Sequence, residues 1–344
     1  MFKIGLDLGY GYVKGVNEAG RTVSFPSLVG EAYDRPLSGL FGNHAVEAAG
    51  NLHLVVSDSE GKREFFAGDL ARREGKNVSF AFDEDKMTHP NTKALLAAAG
   101  MLLFPQNTSP VHLVTGLPLE QYIHKRDEFR QMLGRLNFSV SHKDGGGVKQ
   151  ISFAKTTIFP QAAGAVYHTI WDDRQRYLTK GSYLGLVDIG FKTTDFIVFL
   201  VEDRLVLRED LSGTIPVGMS QMQTAADKLF TSRTGTKLDL AEQIRLVENG
   251  SLVYKGHVVD LQRDLEAVKQ ELGRAIKDRL KTVWGNKINF FHTVFLAGGG
   301  AVSLEQVLSN FHPTTVLVKD PRFANTRGFL KVAEIEAKKA GLVV

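Results

Sequence analysis

FKIGLDLGYGYVKG, residues 2–15, carries an apolar run onto a carboxylate, Asp7, turns through Gly9 and Gly11, and resumes as Tyr12, Val13 and Lys14. The alternation over residues 2–8 predicts a strand, and the glycines predict a tight turn into a second one. A related wording returns far downstream as SYLGLVDIGFKTTDFIVF, residues 182–199. There an apolar run again ends on an aspartate, Asp188, followed by Gly190 and another β-rich segment. One such turn is what any hairpin uses; two of them, each with Asp at the strand end, ask for a shared chemical reason.

The composition limits that reason. The chain has 344 residues, 43% hydrophobic and 23% charged, which is globular composition with room for two domains. Its formal charge of +4 is spread thinly, with no run of like charges to form a nucleic-acid arm, so no direct sequence-specific DNA binding is expected. There is no cysteine, which removes disulfides, thiolate metal sites and cysteine nucleophiles. Asp7 interrupts the first apolar run, so no signal peptide is read. ALLAAAGMLLF at 94–104 is too short to span a bilayer and reads as a buried helix. A cytoplasmic protein without a membrane partner is expected.

Along the chain, residues 2–30 predict a three-stranded meander. Residues 30–90, rich in glycine and charge, suggest a small inserted subdomain with its own sheet. A helix over 91–103 leads into PVHLVTGLP, a buried strand, and EQYIHKRDEFRQMLG at 120–134 reads as an amphipathic helix with Tyr122, Phe129 and Leu133 on one face. SHKDGGGVKQ at 141–150 is a hairpin or loop. A strand, a break at Pro160 and a small-residue helix follow. Residues 183–210 form a second meander in the same order as the first, an internal repeat in which each copy opens one half. From 217 to about 292 the pattern reads as helical, most clearly over 260–285, where Leu261, Leu265, Val268, Leu272, Ile276, Leu280 and Val283 recur every three or four residues. TVFLAGGGAV at 293–302 is a strand running into a glycine triplet, with a helix expected from Ser303. A short strand, TTVLV, and a helix at 325–340 close the chain.

Backbone N–H groups in a glycine turn are uncovered and approach phosphate oxygens closely. An Asp at the strand end suits a hydrated Mg²⁺, which prefers carboxylate and water oxygens. Lys14, on the same side as Tyr12, adds a point charge for a phosphate. Two such hairpins fit a grip on a nucleotide triphosphate from opposite sides, and Gly298, Gly299 and Gly300 offer a flat surface for an adenosine. The ten histidines show no metal-ligand spacing, and no Ser/His/Asp arrangement stands out.

These segments carry a family resemblance. DLGYGYVK at 7–14 is similar to the first phosphate motif of the actin superfamily, and DIGFKTTD at 188–195 to the second. LAGGGA at 296–301 resembles the adenosine motif, while FPQAAGA at 159–165 and NTRG at 325–328 resemble the two connecting segments. All five occur in the family's order. The short length, SFPS at 24–27 and the wording of the second motif resemble the bacterial plasmid-segregation actins of the ParM/StbA type.

The resemblance implies an α/β, actin-like two-domain fold, each domain on a mixed five-stranded sheet flanked by helices, with a nucleotide cleft between them. Domain I would be 1–159 plus 322–344, with 30–90 as the inserted subdomain, and domain II 160–321. It implies an ATPase with ATP/ADP and Mg²⁺ as cofactors. Asp7 and Asp188 would hold the ion through water, and Gln161 would orient the attacking water. As an amide it is no strong base, so hydrolysis should be slow. Leu8, Gly9, Tyr10, Gly11, Tyr12, Lys14, Gly190, Phe191, Lys192 and Thr193 would wrap the phosphates, and Gly218 with Gly298, Gly299 and Gly300 would meet the nucleoside. Phe191 and Lys192 depart from the small residues common in the second turn of sugar kinases and chaperones, and Lys192 would add charge near the γ-phosphate. Asp195 would support the site from behind. The implied activity is a filament that assembles with ATP and moves plasmid DNA through an adaptor bound to a centromere-like site. The alternatives are a monomeric small-molecule kinase, disfavoured because no spare carboxylate base accompanies Asp7, Asp188 and Asp195, and a membrane-attached cell-shape actin, disfavoured because a strand starts at Phe2.

Overall fold

The computed structural model describes residues 1–36, 48–80, 89–105, 110–145, 147–171 and 173–341. The chain divides into two units, Met1–Gly164 with Asn325–Val344, and Ala165–Ala324.

The first unit begins with the expected meander: β1 (Phe2–Leu8), β2 (Tyr12–Asn17) and β3 (Thr22–Pro26). Next come β4 (Leu28–Glu31), β5 (Leu52–Asp58), β6 (Gly61–Ala67), α1 (Gly68–Glu74) and β7 (Lys76–Phe80). They are followed by α2 (Asn91–Leu103), β8 (Val111–Leu117), α3 (Leu119–Gly134), β9 (Asn137–His142), β10 (Lys149–Ser152) and β11 (Lys155–Pro160). The strands form two sheets. One is five-stranded in the order β11-β8-β1-β2-β3, and the other six-stranded in the order β10-β9-β5-β6-β4-β7. The small sheet expected within 30–90 falls partly on 37–47 and 81–88, which lie outside the described residues. The described part of that sheet also takes in β9 and β10, which form a hairpin over the polar stretch at 141–150.

β1 is the middle strand of its sheet. Its residues Ile4 to Leu8 are buried without alternation, because neighbours cover both faces, and the period-2 pattern read from residues 2–8 is not the burial pattern. α2 lies against both sheets with Leu95, Ala97, Ala98 and Leu102 in the core. Its last carbonyls are capped from outside the helix: Lys149 Nζ donates to Met101 O at 2.8 Å and Phe104 O at 2.7 Å, and Asn17 Nδ2 to Leu103 O at 2.9 Å.

α4 (Gln161–Trp171) starts in the first unit, and the division falls within it. The second unit continues with α5 (Arg174–Tyr177), β12 (Tyr183–Ile189), β13 (Thr194–Val201), β14 (Leu205–Leu207), β15 (Gly213–Ile215), α6 (Ser220–Thr234) and α7 (Leu240–Asn249). It is completed by β16 (Ser251–Tyr254), β17 (His257–Asp260), α8 (Gln262–Trp284), β18 (Phe291–Ala297), α9 (Gly299–Leu308) and β19 (Thr315–Leu317). The main sheet runs β14-β13-β12-β18-β19, with β15 also paired to β13. α10 (Ala324–Gly341) returns the chain to the first unit. There Gly328 meets Gly164 of α4 so closely that a Cβ on Gly328 would lie 1.8 Å from the Gly164 carbonyl oxygen.

Two local readings need correction. The span 217–292 is not all helical. LVYKGHVV folds as the β16–β17 hairpin, its turn made by Lys255 at φ 49° and Gly256 at φ 82°, the left-handed pair that a two-residue hairpin turn demands. The last helix of the glycine motif begins at Gly299 rather than at Ser303. Glycine's poor helix propensity argues against that start. Packing overrides it, because a Cβ on Gly300 would lie 2.4 Å from Ile189 Cγ2.

The amphipathic helix is placed as its spacing predicts. In α8, Leu265, Leu272, Ile276 and Leu280 are buried, and Trp284 at its end donates Nε1–H to Leu211 O at 2.9 Å. Gly273 lets α8 approach α9: a Cβ there would stand 2.5 Å from Val307 Cγ1.

The two main sheets repeat one plan. In each, a first strand pairs antiparallel with a second and parallel with a later one (β1 with β2 and β8; β12 with β13 and β18). The second strand pairs with a third (β3, β15), and the later strand with one further parallel strand (β11, β19).

Candidate functional site

In the first unit β1, β8 and β11 are parallel, so Asp7–Leu8, Gly116–Leu117 and Pro160–Gln161 lie along one edge, at the carboxyl ends of the strands. Open α/β sheets take their ligands at such an edge. Asp7 is 3% exposed, and its Oδ1 has no hydrogen-bond partner. A buried acceptor without a donor costs of order 1–3 kcal/mol unless something else satisfies it. Leu8 points into the core and contributes backbone only. Gly9 is demanded by the turn itself, since a Cβ would fall 2.6 Å from Tyr12 O. Lys14 is the register partner of Asp7, and Tyr12 is 41% exposed. Tyr10 is fixed by Gln121, whose Nε2 donates to the phenol oxygen at 3.2 Å. Gln161 opens α4 against the end of β8, where a Cβ on Gly116 would lie 3.1 Å from Gln161 Cα.

The turn is also held from below. Ser27, fully buried, donates its hydroxyl to Gly9 O at 2.6 Å and its backbone N–H to Gly11 O at 2.8 Å. In the sequence this serine stands at the end of SFPS, 24–27. The signal was a hydroxyl directly after the strand-ending Pro26, opposite the glycine turn.

In the second unit every expected residue converges. Asp188 is 4% exposed at the end of β12 and is the register partner of Asp195. Gly190 N–H donates to Thr193 O at 2.9 Å and closes the second turn. Gly298 stands in the left-handed region at φ 88°, and a Cβ there would lie 2.3 Å from Asp188 Oδ1 and 2.5 Å from Ile189 O. The glycine triplet is therefore packed onto the second turn, with Gly299 and Gly300 opening α9 beside it. Gly218 covers the other side, its missing Cβ 2.5 Å from Phe191 O and 2.6 Å from the Lys192 carbonyl carbon. Met219 N–H and Ser220 N–H then donate to Gly190 O at 3.1 Å and Phe191 O at 2.7 Å. Thr194 Oγ1–H reaches Val217 O at 2.8 Å. Asp195 accepts from Thr214 Oγ1 at 2.5 Å, a contact that sequence reasoning missed because β15 is only three residues long.

The donor set suits a phosphate-bound Mg²⁺. Each unit offers one buried strand-end carboxylate beside a glycine turn, and Asp7 Oδ1 is an oxygen acceptor without a partner. No group of three or more His, Cys, Asp or Glu side chains that could hold a metal is found among the described residues. Nor is any helix among them long and apolar enough to cross a membrane.

Comparison with known proteins bears on the family and the fold. The family of actin like proteins, N terminal domain, matches residues 5–164, and the family of archaeal actin homologue MreB-like, C-terminal, matches residues 186–310. A solved 15-stranded ParM filament from Clostridium botulinum is built of a chain 33% identical, with 97% of this chain and 99% of that one covered and a TM-score of 0.91. An archaeal actin homolog of Thermoplasma volcanium is 24% identical over 97% of this chain and 99% of its own length. An archaeal actin homolog solved in complex with ADP, at 19% identity and a TM-score of 0.79, covers 97% of this chain and 100% of its own and shares the fold.

Proposed function

The chain belongs to the actin-like proteins of the ParM type, and from that premise we propose that it binds and slowly hydrolyses ATP and assembles with copies of itself into filaments. What supports the reading most is the pair of buried strand-end carboxylates on glycine turns, Asp7 with its unpartnered Oδ1 and Asp188 under Gly298. The similarity to a filament-forming chain over nearly the full length of both supports the assembly.

In this reading the turns at 9–12 and 190–193 give backbone N–H groups to phosphate oxygens, and Lys14 and Lys192 add charge. Gly218 and Gly298 to Gly300 meet the nucleoside. Bound Mg²⁺, held through water by Asp7 and Asp188, would neutralise charge on the phosphate oxygens. Gln161 orients the attacking water without taking its proton, so catalysis rests on positioning, and turnover is slow. Asp195, tied to Thr214, steadies Asp188 from the neighbouring strand.

Assembly with ATP and weakening of the polymer on hydrolysis would make the filament a device for moving cargo. By the resemblance of its motifs the cargo is plasmid DNA, held through an adaptor protein on a centromere-like site. High-speed sedimentation tests the assembly. Protein that pellets with Mg-ATP but not with EDTA present supports it, and protein that stays in the supernatant under both conditions at micromolar concentration removes it.

A further inference from the structure

We infer that Ser27 is a positioning residue for the phosphates: it sets the first glycine turn in its binding form and couples that turn to the second sheet of the first unit. The inference rests on the reading of residues 9–12 as a phosphate cradle.

Ser27 is the crossover residue of the unit. Pro26 ends β3 in the five-stranded sheet, and Leu28 begins β4 in the six-stranded one. From that place Ser27 holds two carbonyls of the turn, Gly9 O through its hydroxyl and Gly11 O through its N–H. A trans peptide is planar, so the N–H of the next residue points away from each carbonyl. With the carbonyls of Gly9 and Gly11 both drawn to Ser27, the N–H groups of Tyr10 and Tyr12 are turned to the opposite side. N–H groups of a glycine turn aimed the same way offer donors to an anion. A glycine turn left alone samples many conformers, and each ordered residue costs about 1–2 kcal/mol that binding would otherwise have to supply.

The second turn is built differently. It is held by backbone N–H groups of Met219 and Ser220, next to Gly218. The first turn hangs on the Ser27 hydroxyl and N–H. Through it, any shift of the turn on gaining or losing nucleotide pulls on Leu28, which is fully buried and paired with Phe80 of β7.

The test compares wild type, Ser27→Ala and Ser27→Thr by titration with a fluorescent ATP analogue, steady-state phosphate release and melting without nucleotide. Loss of the hydroxyl is expected to raise the ATP Kd about tenfold, the scale of one hydrogen bond. KM should rise with kcat little changed, because the cradle grips ground and transition states alike. The Ser27→Thr variant keeps a hydroxyl at this position and should restore affinity. A purely structural serine would instead lower the melting temperature and leave Kd unmoved once the protein is folded, which overturns the inference. A Ser27→Thr protein as weak as Ser27→Ala overturns it too.

Hydrogen exchange on the unmodified chain covers the case of variants that do not fold. ATP should slow exchange over 24–31 together with 9–12, and protection confined to 9–12 contradicts the coupling. If the wild type does not bind the ATP analogue at all, the nucleotide reading itself fails, and that outcome is distinct from the others.

Discussion

Asp188 and Asp195 face each other as register partners across β12 and β13, the place that Asp7 and Lys14 hold across β1 and β2. The two halves thus share a plan and differ in charge at one position. The first half sets a lysine beside its strand-end carboxylate. The second sets another carboxylate there and engages it with Thr214.

Asp7→Asn separates stability from binding. The wild-type carboxylate is buried with Oδ1 unsatisfied, so removing its charge should raise the melting temperature of the nucleotide-free protein by about 2 °C, the yield of relieving roughly 1 kcal/mol. Mg-ATP affinity should fall at least tenfold, by about 1.4 kcal/mol. Calorimetry with and without Mg-ATP measures both; a variant less stable than wild type without nucleotide contradicts the reading of Asp7.

Gln161→Ala should leave ATP affinity within about threefold and lower phosphate release by about two orders of magnitude, the loss expected when a water-orienting group is removed. Single-turnover phosphate release is the readout. An equal loss in affinity would assign Gln161 to binding instead.

Gly298→Ala should cost about 2–4 kcal/mol, because the residue is at φ 88° and the added methyl would sit 2.3 Å from Asp188 Oδ1. Urea unfolding measures it. Gly20→Ala is the control for a left-handed glycine with open space around it, and its cost should be the smaller of the two.

Acid should weaken the fold before its carboxylates titrate. His112 is held below the ordinary histidine range by burial first and then by Lys155 and Lys3, with Glu336 opposing. Burial also lowers His142 and His312. The unfolded chain takes up protons at these sites first as pH falls through about 6.5, so stability rises with pH there and is lost on acidification. Melting temperature should drop between about pH 7 and 5.5, and His112→Gln, which can still reach Thr157, should flatten part of that slope.

The strand–Asp–Gly repeat was legible because turn chemistry is local: Gly9 and Gly190 are fixed by carbonyls three residues on. The long helix α8 was legible through its spacing. What stayed hidden depends on partners distant in sequence. The β16–β17 hairpin is short and sits between helices, so its KG turn was outvoted by its flanks. The start of α9 at Gly299 goes against propensity and follows from packing on Ile189. Ser27 reads as any serine until Gly9 is seen above it. The pairing of β9 with β5 joins segments some eighty residues apart, which no window along the chain can report.

The most direct measurement is right-angle light scattering of the purified protein on addition of Mg-ATP, with phosphate release followed in the same cuvette. A rise in scattering that decays as phosphate accumulates is the predicted result for an ATP-driven filament. Phosphate release under flat scattering across micromolar concentrations would contradict assembly and turn attention to small-molecule phosphate acceptors.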